Sequence, residues 1–346
     1  MSWSKLIWLF ISFTIPAFIA GQNVTYKFIS PQYELEHIKL NNTEDPGRLY
    51  DITEDKQGFI WLTSNKGLQA FDGNHTFSYR NGSKLYKLTA DSSVHSLYAF
   101  IKLPDGSLWI QEENSRMLHF DPVKRKLTES FTGDPINNEL IYHIAGSNDG
   151  ALFVFTINRA KRTIAIWKKS PTNKLLPVYL GYMNPNSYYS YRIAANYHWI
   201  IEERGITQIS LDGKEKKQYD IPTSPNYNID SDDQGRFYFA GADQETIYTW
   251  NEEFKSMMVY LKVPAYLKGK GFNFFIKGNK IFFGGNLSLF IINREDKTIQ
   301  DLSQQFIELA KKEAPNSLGV LFMNFFLRPD SSLLVCTQTD IYRLKK

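Results

Sequence analysis

The sequence contains a single cysteine, Cys336, and this scarcity excludes disulfide bonds within the chain. The thiol lies in the apolar run Leu333–Cys336, which predicts a small buried side chain rather than a nucleophile. Catalytic signatures are missing too, because the chain has no G-x-S-x-G elbow, no phosphate-binding P-loop and no dinucleotide fingerprint. We therefore expect a protein that is not an enzyme on its own and that needs no cofactor.

Neither basic nor acidic residues are in large excess. The 40 basic and 36 acidic residues are interspersed and leave a net charge of only +4, so we expect no nucleic-acid partner. The six histidines show no H-x-x-x-H pairing, and we expect no metal site. The sequence from Asp232 to Gly235 is similar to part of a calcium loop, but the remaining oxygen ligands are missing and a turn is predicted there.

Long apolar runs are absent after the first residues. Leu6–Ile19 is apolar, follows Lys5 and precedes the small residues Ala20 and Gly21, which is typical of an export signal. We predict a cleaved signal peptide over residues 1–21 and a periplasmic or secreted protein, with a retained N-terminal anchor as the alternative. No later run is long enough to span a bilayer, so we expect no membrane insertion of the mature chain.

Aromatic residues, in contrast, are abundant at 15% of the chain, and together with β-branched residues they favour an all-β fold. The clearest unit is Asp51–Tyr79, DITEDKQGFIWLTSNKGLQAFDGNHTFSY, in which strand patterns alternate with tight turns at Gly58, Gly67 and Gly73. With the short alternating run that begins at Leu49, it predicts four antiparallel strands in fewer than about 35 residues. An antiparallel meander of that size is one blade of a β-propeller.

The string D-x-x-G-F-I-W-L-T-S-N-K-G-L-x-x-F-D-G within this unit resembles the two-component regulator propeller repeat. That family occurs in the periplasmic sensor parts of hybrid histidine kinases of Bacteroidetes-type bacteria. The resemblance is close over Asp51–Tyr79 and loose elsewhere. It implies a propeller that senses glycan fragments and passes the signal to downstream kinase domains, none of which is recognisable in this chain.

A turn residue followed three positions later by a bulky apolar residue repeats along the whole chain. The seven instances are Gly58 with Trp61, Gly106 with Trp109, Gly150 with Phe153, Asn196 with Trp199, Gly235 with Tyr238, Asn279 with Phe282, and Ser331 with Leu334. Successive turns lie about 39 to about 52 residues apart, which brackets the period of propeller blades. We predict a seven-bladed β-propeller of four-stranded antiparallel blades, formed by residues 22–346 as one domain.

The last unit ends without a fourth strand, whereas the N-terminal region has alternating segments to spare. Tyr33–Leu40 and Val24–Ile29 are both candidates, and we predict that one of them closes the ring as the outer strand of the last blade. Leu302–Ala314 has helical spacing, with Ser303 as a cap, and predicts one short helix between blades six and seven. That helix either fills a gap on one face or forms a docking surface.

The strand patterns in the repeats lead to two further predictions. The third strand of each unit has two apolar residues three apart, such as Leu68 and Phe71, which suggests a small bulge or a twist in this strand. The central aromatics Trp61, Trp109 and Trp199 occupy equivalent positions, so we expect them to pack between blades rather than to stack on sugars.

Ligands of propellers usually meet the loops at one end of the channel, here expected to be those between second and third strands and those between blades. These loops supply our ligand-binding candidates: Asn65, Lys66, Glu112, Arg159, Tyr189, Tyr191, Arg192, Glu203 and Arg204. Tyrosines beside an arginine can stack on a sugar ring and hydrogen-bond to it.

Three functions are compatible with these features. The first is an extracytoplasmic sensing or binding module, with an oligosaccharide or another small ligand and with downstream sensor-kinase domains or a partner protein. The second is a protein-interaction scaffold, which an exposed apolar patch around Leu302–Ala314 would favour. The third is a glycan lyase or hydrolase, for which Glu112, Glu203 and Asp243 could supply carboxylates.

Overall fold

The computed structural model describes most of the chain after the proposed signal peptide. The described residues are 26–40, 46–79, 97–112, 116–132, 140–172, 174–184, 187, 189–202, 205–221, 229–232, 236–241, 246–251, 253, 256–263, 273–285, 287–315 and 322–346. The predicted signal peptide lies outside them. Within these ranges, none of the helical residues forms a segment of the length and apolarity that a bilayer crossing requires.

The described residues form 29 strands and one helix. In chain order they are β1 (Lys27–Ile29), β2 (Glu34–Ile38), β3 (Leu49–Glu54), β4 (Ile60–Ser64), β5 (Gly67–Phe71), β6 (Thr76–Tyr79), β7 (Leu97–Lys102), β8 (Leu108–Glu112), β9 (Arg116–Asp121), β10 (Lys126–Thr132), β11 (Leu140–Gly146), β12 (Leu152–Asn158), β13 (Thr163–Lys169), β14 (Leu175–Tyr182), β15 (Ser190–Ala194), β16 (Tyr197–Glu202), β17 (Gly205–Ser210), β18 (Lys216–Tyr219), β19 (Ile229–Ser231), β20 (Phe237–Ala240), β21 (Thr246–Asn251), β22 (Ser256–Lys262), β23 (Asn273–Lys277), β24 (Lys280–Gly285), β25 (Ser288–Asn293), β26 (Thr298–Asp301), α1 (Ser303–Glu313), β27 (Phe322–Leu327), β28 (Leu333–Thr337) and β29 (Ile341–Lys345).

The strands form seven antiparallel meanders arranged in a ring. Blades one to six take four consecutive strands each, from β3–β6 to β23–β26, and blade seven begins with β27–β29. The first strand of every blade contacts the first strands of its neighbours, and β27 of blade seven contacts β3 of blade one. These inner strands therefore surround a central channel, and the predicted seven-bladed propeller is confirmed.

Both N-terminal segments pair with the last two blades. Strand β2 is antiparallel to β29, from Glu34 opposite Lys345 to Ile38 opposite Ile341, and supplies the missing fourth strand of blade seven. Strand β1 runs parallel to β26 and adds a fifth strand to blade six. Of the two candidate segments, the one that contains β2 closes the ring, as predicted.

In the third strand of blade one, the spacing of three has a different cause from a bulge. In blades three and five, the pairing of third and fourth strands does shift register, between Ile166 and Trp167 and between Ile247 and Tyr248. Strands β4 and β5 pair in continuous register, so β5 contains no bulge. Leu68 packs in the cluster shared with blade two, whereas Phe71 packs in the cluster shared with blade seven. Since each blade lies between two others, both faces of its inner strands are buried, and residues on opposite faces are apolar. Trp61, Trp109 and Trp199 are likewise buried between blades, as expected.

In blades one and five, the side chain of an aspartate lies before the central aromatic and accepts a hydrogen bond from it. In blade one, Asp55 accepts hydrogen bonds from the backbone N–H groups of Gln57 and Phe59 and, at 2.7 Å, from the indole N–H of Trp61. In blade five, Asp232 accepts a hydrogen bond from the hydroxyl group of Tyr238 at 2.9 Å. Asp232 also accepts the backbone N–H of Arg236, whereas residues 233–235 of the predicted turn lie outside the described residues.

The single helix lies between blades six and seven, as predicted. Its residues Phe306 and Ala310 are fully buried in the cluster of blade seven, so the helix fills a gap and its apolar face is covered. Ser303 does not cap it, because its hydroxyl accepts a hydrogen bond from the N–H of Leu289. The first helical N–H is bound instead by the carboxylate of Asp301 at 2.9 Å.

An ion pair joins blade seven to blade one beside the channel. Arg328, just after β27, donates to both oxygens of Glu54 at the end of β3, at 2.9 and 2.8 Å. Glu54 is only 5% exposed. The hydrogen bonds that it accepts from Arg328 raise the pKa of the guanidinium group above its ordinary value. The bidentate geometry is the strongest form of such a contact.

Ring closure by β2 predicts unequal effects of two N-terminal truncations. A chain that begins at Asn41 loses β2, uncovers the edge of β29 and should melt at a temperature lower by about 10 °C or more, or without cooperativity. A chain that begins at Ser30 loses only β1 and serves as the matched control, with a small decrease. Thermal unfolding followed by circular dichroism measures both, and equal melting temperatures would contradict closure by β2.

The Arg328–Glu54 pair predicts a specific loss of stability. Arg328→Ala leaves the Glu54 carboxylate buried without its cation and should lower the free energy of unfolding by about 2 to 4 kcal/mol. Lys214→Ala is the control, because Lys214 pairs with Asp212 on the exposed surface and the change should be hard to detect. Urea denaturation of the three proteins gives the comparison. A loss in Arg328→Ala no larger than in the control would show that the buried pair contributes nothing.

Candidate ligand site: the central channel and its mouth

Five of the seven inner strands carry a polar side chain away from their ends. They are Asp51, His143, Arg192, Asp230 and Asn324, contributed by blades one, three, four, five and seven. We call them the channel group. Inner strands bring only one edge to the channel, so a polar residue there can face water while its neighbours pack between blades.

Asp51 connects three blades. One carboxylate oxygen accepts the N–H of Phe100 in blade two at 2.8 Å, and the other accepts the side-chain amide of Asn324 in blade seven at 2.9 Å. Burial raises the pKa of Asp51 to about 6, and the backbone hydrogen bonds and the charge of Arg192 oppose that rise. The carboxylate therefore acts as a cross-link between inner strands.

Asp230 repeats this arrangement on the other side of the ring. Its carboxylate accepts the N–H of Ile276 in blade six at 2.8 Å, and a guanidinium nitrogen of Arg192 in blade four lies 4.0 Å away. Burial raises the pKa of Asp230 to about 6, while the charge of Arg192 opposes the rise. The Arg192 side chain is 44% exposed, so its remaining donors can reach a ligand in the channel.

His143 links blade three to blade four. Its Nε2 lies 3.4 Å from the backbone carbonyl oxygen of Tyr189, which a protonated Nε2 can bind. Burial lowers the pKa of His143 to about 4, and the nearby charge of Arg192 lowers it further. The imidazole is consequently neutral at physiological pH and serves as a hydrogen-bond donor to the backbone.

A pocket of about 340 Å³ opens where the first strands of blades six, seven, one and two end. We call it the basic mouth. It is lined by Glu54, Asp55, Lys102, Lys277, Phe326, Leu327, Arg328, Pro329 and Ser331. The pocket thus combines an apolar wall with three cationic side chains, at the end of the ring where first and second strands are joined.

Asn65 and Lys66 lie at the opposite end, where second and third strands are joined, and we call this end the rim. There the turn between second and third strands bonds to the segment between blades, since Asn65 accepts the N–H of Arg48 at 2.8 Å and donates its own N–H to the Arg48 carbonyl. Lys66 lies beside it, half-buried. These contacts support the expectation that both kinds of loop share one end of the ring.

The other predicted residues differ in exposure, and Arg159 belongs to the same rim. Arg159 is exposed in the turn after β12, whereas Glu112 is buried at the end of β8. Tyr191 is buried, stacks on Phe155 with 5.1 Å between ring centroids, and its hydroxyl lies 2.8 Å from Nδ1 of His198. These positions place Tyr191 in the core between blades rather than in the channel.

Tyr189 and Arg192 come nearer to the channel. The hydroxyl of Tyr189 is bound to the backbone of Asn184, and burial raises the pKa of this tyrosine to about 12. Arg192 belongs to the channel group. Glu203 and Arg204 lie outside the described residues, as does Asp243.

Sequence reasoning missed four members of the channel group: Asp51, His143, Asp230 and Asn324. Each is a polar residue inside the first strand of a repeat, and aligning the seven repeats by their turns would have shown that these positions correspond. Among the described residues no three histidine, cysteine or acidic side chains are placed to hold a metal ion.

The raised pKa of Asp230 predicts a pH-dependent contribution to stability. Between the ordinary value of 3.8 and about 6 the folded protein holds a proton that the unfolded chain releases. Stability of the wild type relative to Asp230→Asn should therefore fall as pH rises through this window, by about 3 kcal/mol in total, and stay level above pH 7. Urea denaturation of both proteins at several pH values measures the difference.

Asp212→Asn is the control for this titration. Asp212 lies in an exposed turn where the hydroxyl of Ser210 holds its pKa at about 2. Its contribution should change in the opposite direction, because wild-type stability relative to this variant rises with pH up to about 4. A difference for Asp230→Asn that does not vary between pH 4 and 6 would refute the raised pKa.

No protein-family model matches this chain, and no curated protein matches it either. Solved structures do share its fold. A streptogramin B lyase is 18% identical, with a TM-score of 0.66 over 90% of this chain and 97% of its own.

The extracellular domains of two hybrid two-component systems from B. thetaiotaomicron are similar as well. They are 16% and 14% identical, with TM-scores of 0.61 and 0.62 over 90% and 91% of this chain. The chain spans 42% and 43% of those two proteins. At such identities the likeness shows that this chain shares a propeller architecture with a lyase and with sensor domains alike, and it shows the fold alone.

Proposed function

We propose that this protein is an extracytoplasmic ligand-binding module of a sensing system and that it binds an oligosaccharide at the basic mouth. The observation that carries the proposal is the lining of that pocket. Phe326, Leu327 and Pro329 offer an apolar wall for the face of a sugar ring, while Lys102 and Lys277 offer donors to its hydroxyl groups. A volume of about 340 Å³ is within the range of small-ligand pockets.

Location and signalling role are supported by separate observations. Residues 1–21 have the pattern of an export signal. Extracellular domains of two-component systems are among the proteins with a similar fold. A propeller of this kind has no means of phosphoryl transfer in its repeats, so a signal requires downstream kinase domains or a partner protein.

A binding role, rather than catalysis, is supported by the state of the carboxylates. Glu54 is bound on both oxygens by Arg328, and Asp55 is bound by its own turn and by Trp61. Asp51 and Asp230 accept backbone N–H groups of the next blade. Glycoside hydrolysis needs one carboxylate free to attack or activate water and one to deliver a proton. We therefore propose that these acids organise the ring.

A protein-interaction scaffold is the second candidate. The observation that favours it is the outer strand of blade three, where Leu176, Leu180 and Tyr182 are 51, 69 and 71% exposed. Exposed apolar residues on an edge strand are suited to contact another protein. Phe306 and Ala310 of the helix α1 are buried, so they do not form part of such a surface.

A thermal-shift screen against plant and host oligosaccharides tests the binding function. A ligand at a hundred times its Kd should stabilise the native protein by about 2.7 kcal/mol, and we expect a selective rise of the melting temperature with one class of sugar. Lys102→Glu should abolish the rise, since it reverses a charge within the basic mouth. A cooperative melt that no sugar shifts would count against the binding function and favour the scaffold.

Arg159→Glu is the matched control for this variant. It makes the same change of charge on the exposed rim at the other end of the ring. Loss of the shift in Arg159→Glu, and its retention in Lys102→Glu, would place the sugar at the rim that the sequence predicts instead of at the basic mouth.

A further inference from the structure

Four inner strands share a local irregularity in their pairing with the second strand of the blade. In each, the register shifts just before one residue: Asp51 in blade one, Ala99 in blade two, His143 in blade three and Asn324 in blade seven. A β-bulge at such a point changes the direction of the side chain that follows it. These four residues therefore occupy corresponding positions, and their blades are consecutive in the ring.

Ala99 has the smallest of the four side chains and leaves space beside Asp51. The two residues are close to each other, because the carboxylate of Asp51 accepts the N–H of Phe100, which follows Ala99 in its strand. Asp51 and Ala99 are both partly exposed. Blades one, three and seven have longer side chains at this position, whereas blade two has only a methyl group. The channel wall therefore has room for a small ligand next to the carboxylate.

Asp51 has a negative charge but no ion pair within the part of the chain that the structure describes. Its hydrogen bonds come from neutral donors, the backbone N–H groups of Ile52 and Phe100 and the side-chain amide of Asn324. Such donors stabilise a carboxylate, but its charge remains. Arg192 acts on Asp51 from beyond ion-pair distance, since its own ion pair is with Asp230. The pKa of Asp51 is about 6, so the group is ionised at neutral pH.

Acceptors around this position match the donors of an ammonium group, which has three N–H bonds. A carboxylate has about four lone-pair sites, and the hydrogen bonds within the protein leave one of them on Asp51. Asn324 donates from its amide nitrogen to Asp51 and to the carbonyl of Tyr50, so its amide oxygen remains an acceptor. The neutral His143 donates from Nε2 to Tyr189, which leaves the lone pair of Nδ1.

We propose that the channel beside Ala99 binds the primary ammonium group of a small organic ligand, with Asp51 pairing with its charge and with Asn324 and His143 accepting its other hydrogen bonds. Among the described residues no three acidic or histidine side chains converge, so an organic cation fits this position better than a metal ion. The site lies along the inner strands, whereas the basic mouth lies at their ends. It is a second site, and it does not depend on the proposed binding of a saccharide.

Three small probes test the class of ligand. Propylammonium has both the charge and the N–H donors, 1-propanol has a similar size without the charge, and tetramethylammonium has the charge without N–H donors. Titration followed by ligand-observed NMR at pH 7.5, in a phosphate buffer that contains no amine, measures weak binding. We expect propylammonium to bind at least about tenfold more tightly than either of the other two probes.

Variants at the site identify the groups responsible. Asp51→Asn removes the charge and should raise the Kd of propylammonium about tenfold or more. Ala99→Leu fills the space without removing a hydrogen bond of Asp51 and should have the same effect, whereas Ala99→Gly keeps the space and should keep the affinity. Asp212→Asn is the control for the lost carboxylate, because Asp212 lies in an exposed turn of blade four. Thermal unfolding of each variant shows that it is folded.

Three results would overturn the proposal. Folded wild-type protein that does not bind propylammonium, or binds 1-propanol equally well, would refute a site for a cation. Equal binding of tetramethylammonium would refute the assignment to a primary ammonium group. A Kd that is unchanged in both Asp51→Asn and Ala99→Leu would place the ligand elsewhere. None of these results bears on the basic mouth, which the thermal-shift screen with sugars tests separately.

Discussion

Burial of both faces of every blade is the constraint on which the rest of this structure depends. Leu68 and Phe71 are neighbours on one strand, yet they pack against different blades. A single blade would expose both of these faces, so the hydrophobic effect favours a ring in which every face has a partner. Strand β2 completes the last blade, and the helix α1 covers the gap beside it with Phe306.

Polar contacts between blades add to this burial, since a chain with one cysteine has no internal disulfide bond to join them. Asp51 and Asp230 each bind a backbone N–H group in the following blade, and Arg328 reaches Glu54 across the junction of blades seven and one. Inner strands at a channel have backbone and side-chain donors that face a neighbour rather than a sheet partner. Carboxylates satisfy those donors, and the neighbouring blades are held at a defined distance.

The two ends of the ring differ in how their polar groups are used. At the rim, tight turns such as that of Asn65 bond to the segments between blades, and their hydrogen-bonding capacity serves the fold. At the basic mouth, the strands of four blades end around an open pocket, which Lys102 and Lys277 line together with an apolar wall. Our proposal places ligand binding at the basic mouth, at the end of the ring opposite these turns.

Local chemistry determined the blade count, the helix and the burial of Trp61, because turn residues, strand patterns and helical spacing recur in chain order and each blade is built from consecutive residues. Tertiary structure alone decided the rest. The channel group brings together residues such as Asp51 and Asp230 from strands that are far apart in the chain, and no local pattern encodes their convergence. Likewise, the sequence contained two alternating N-terminal segments, and only the unpaired edges of β29 and β26 decided that one would close blade seven and the other extend blade six.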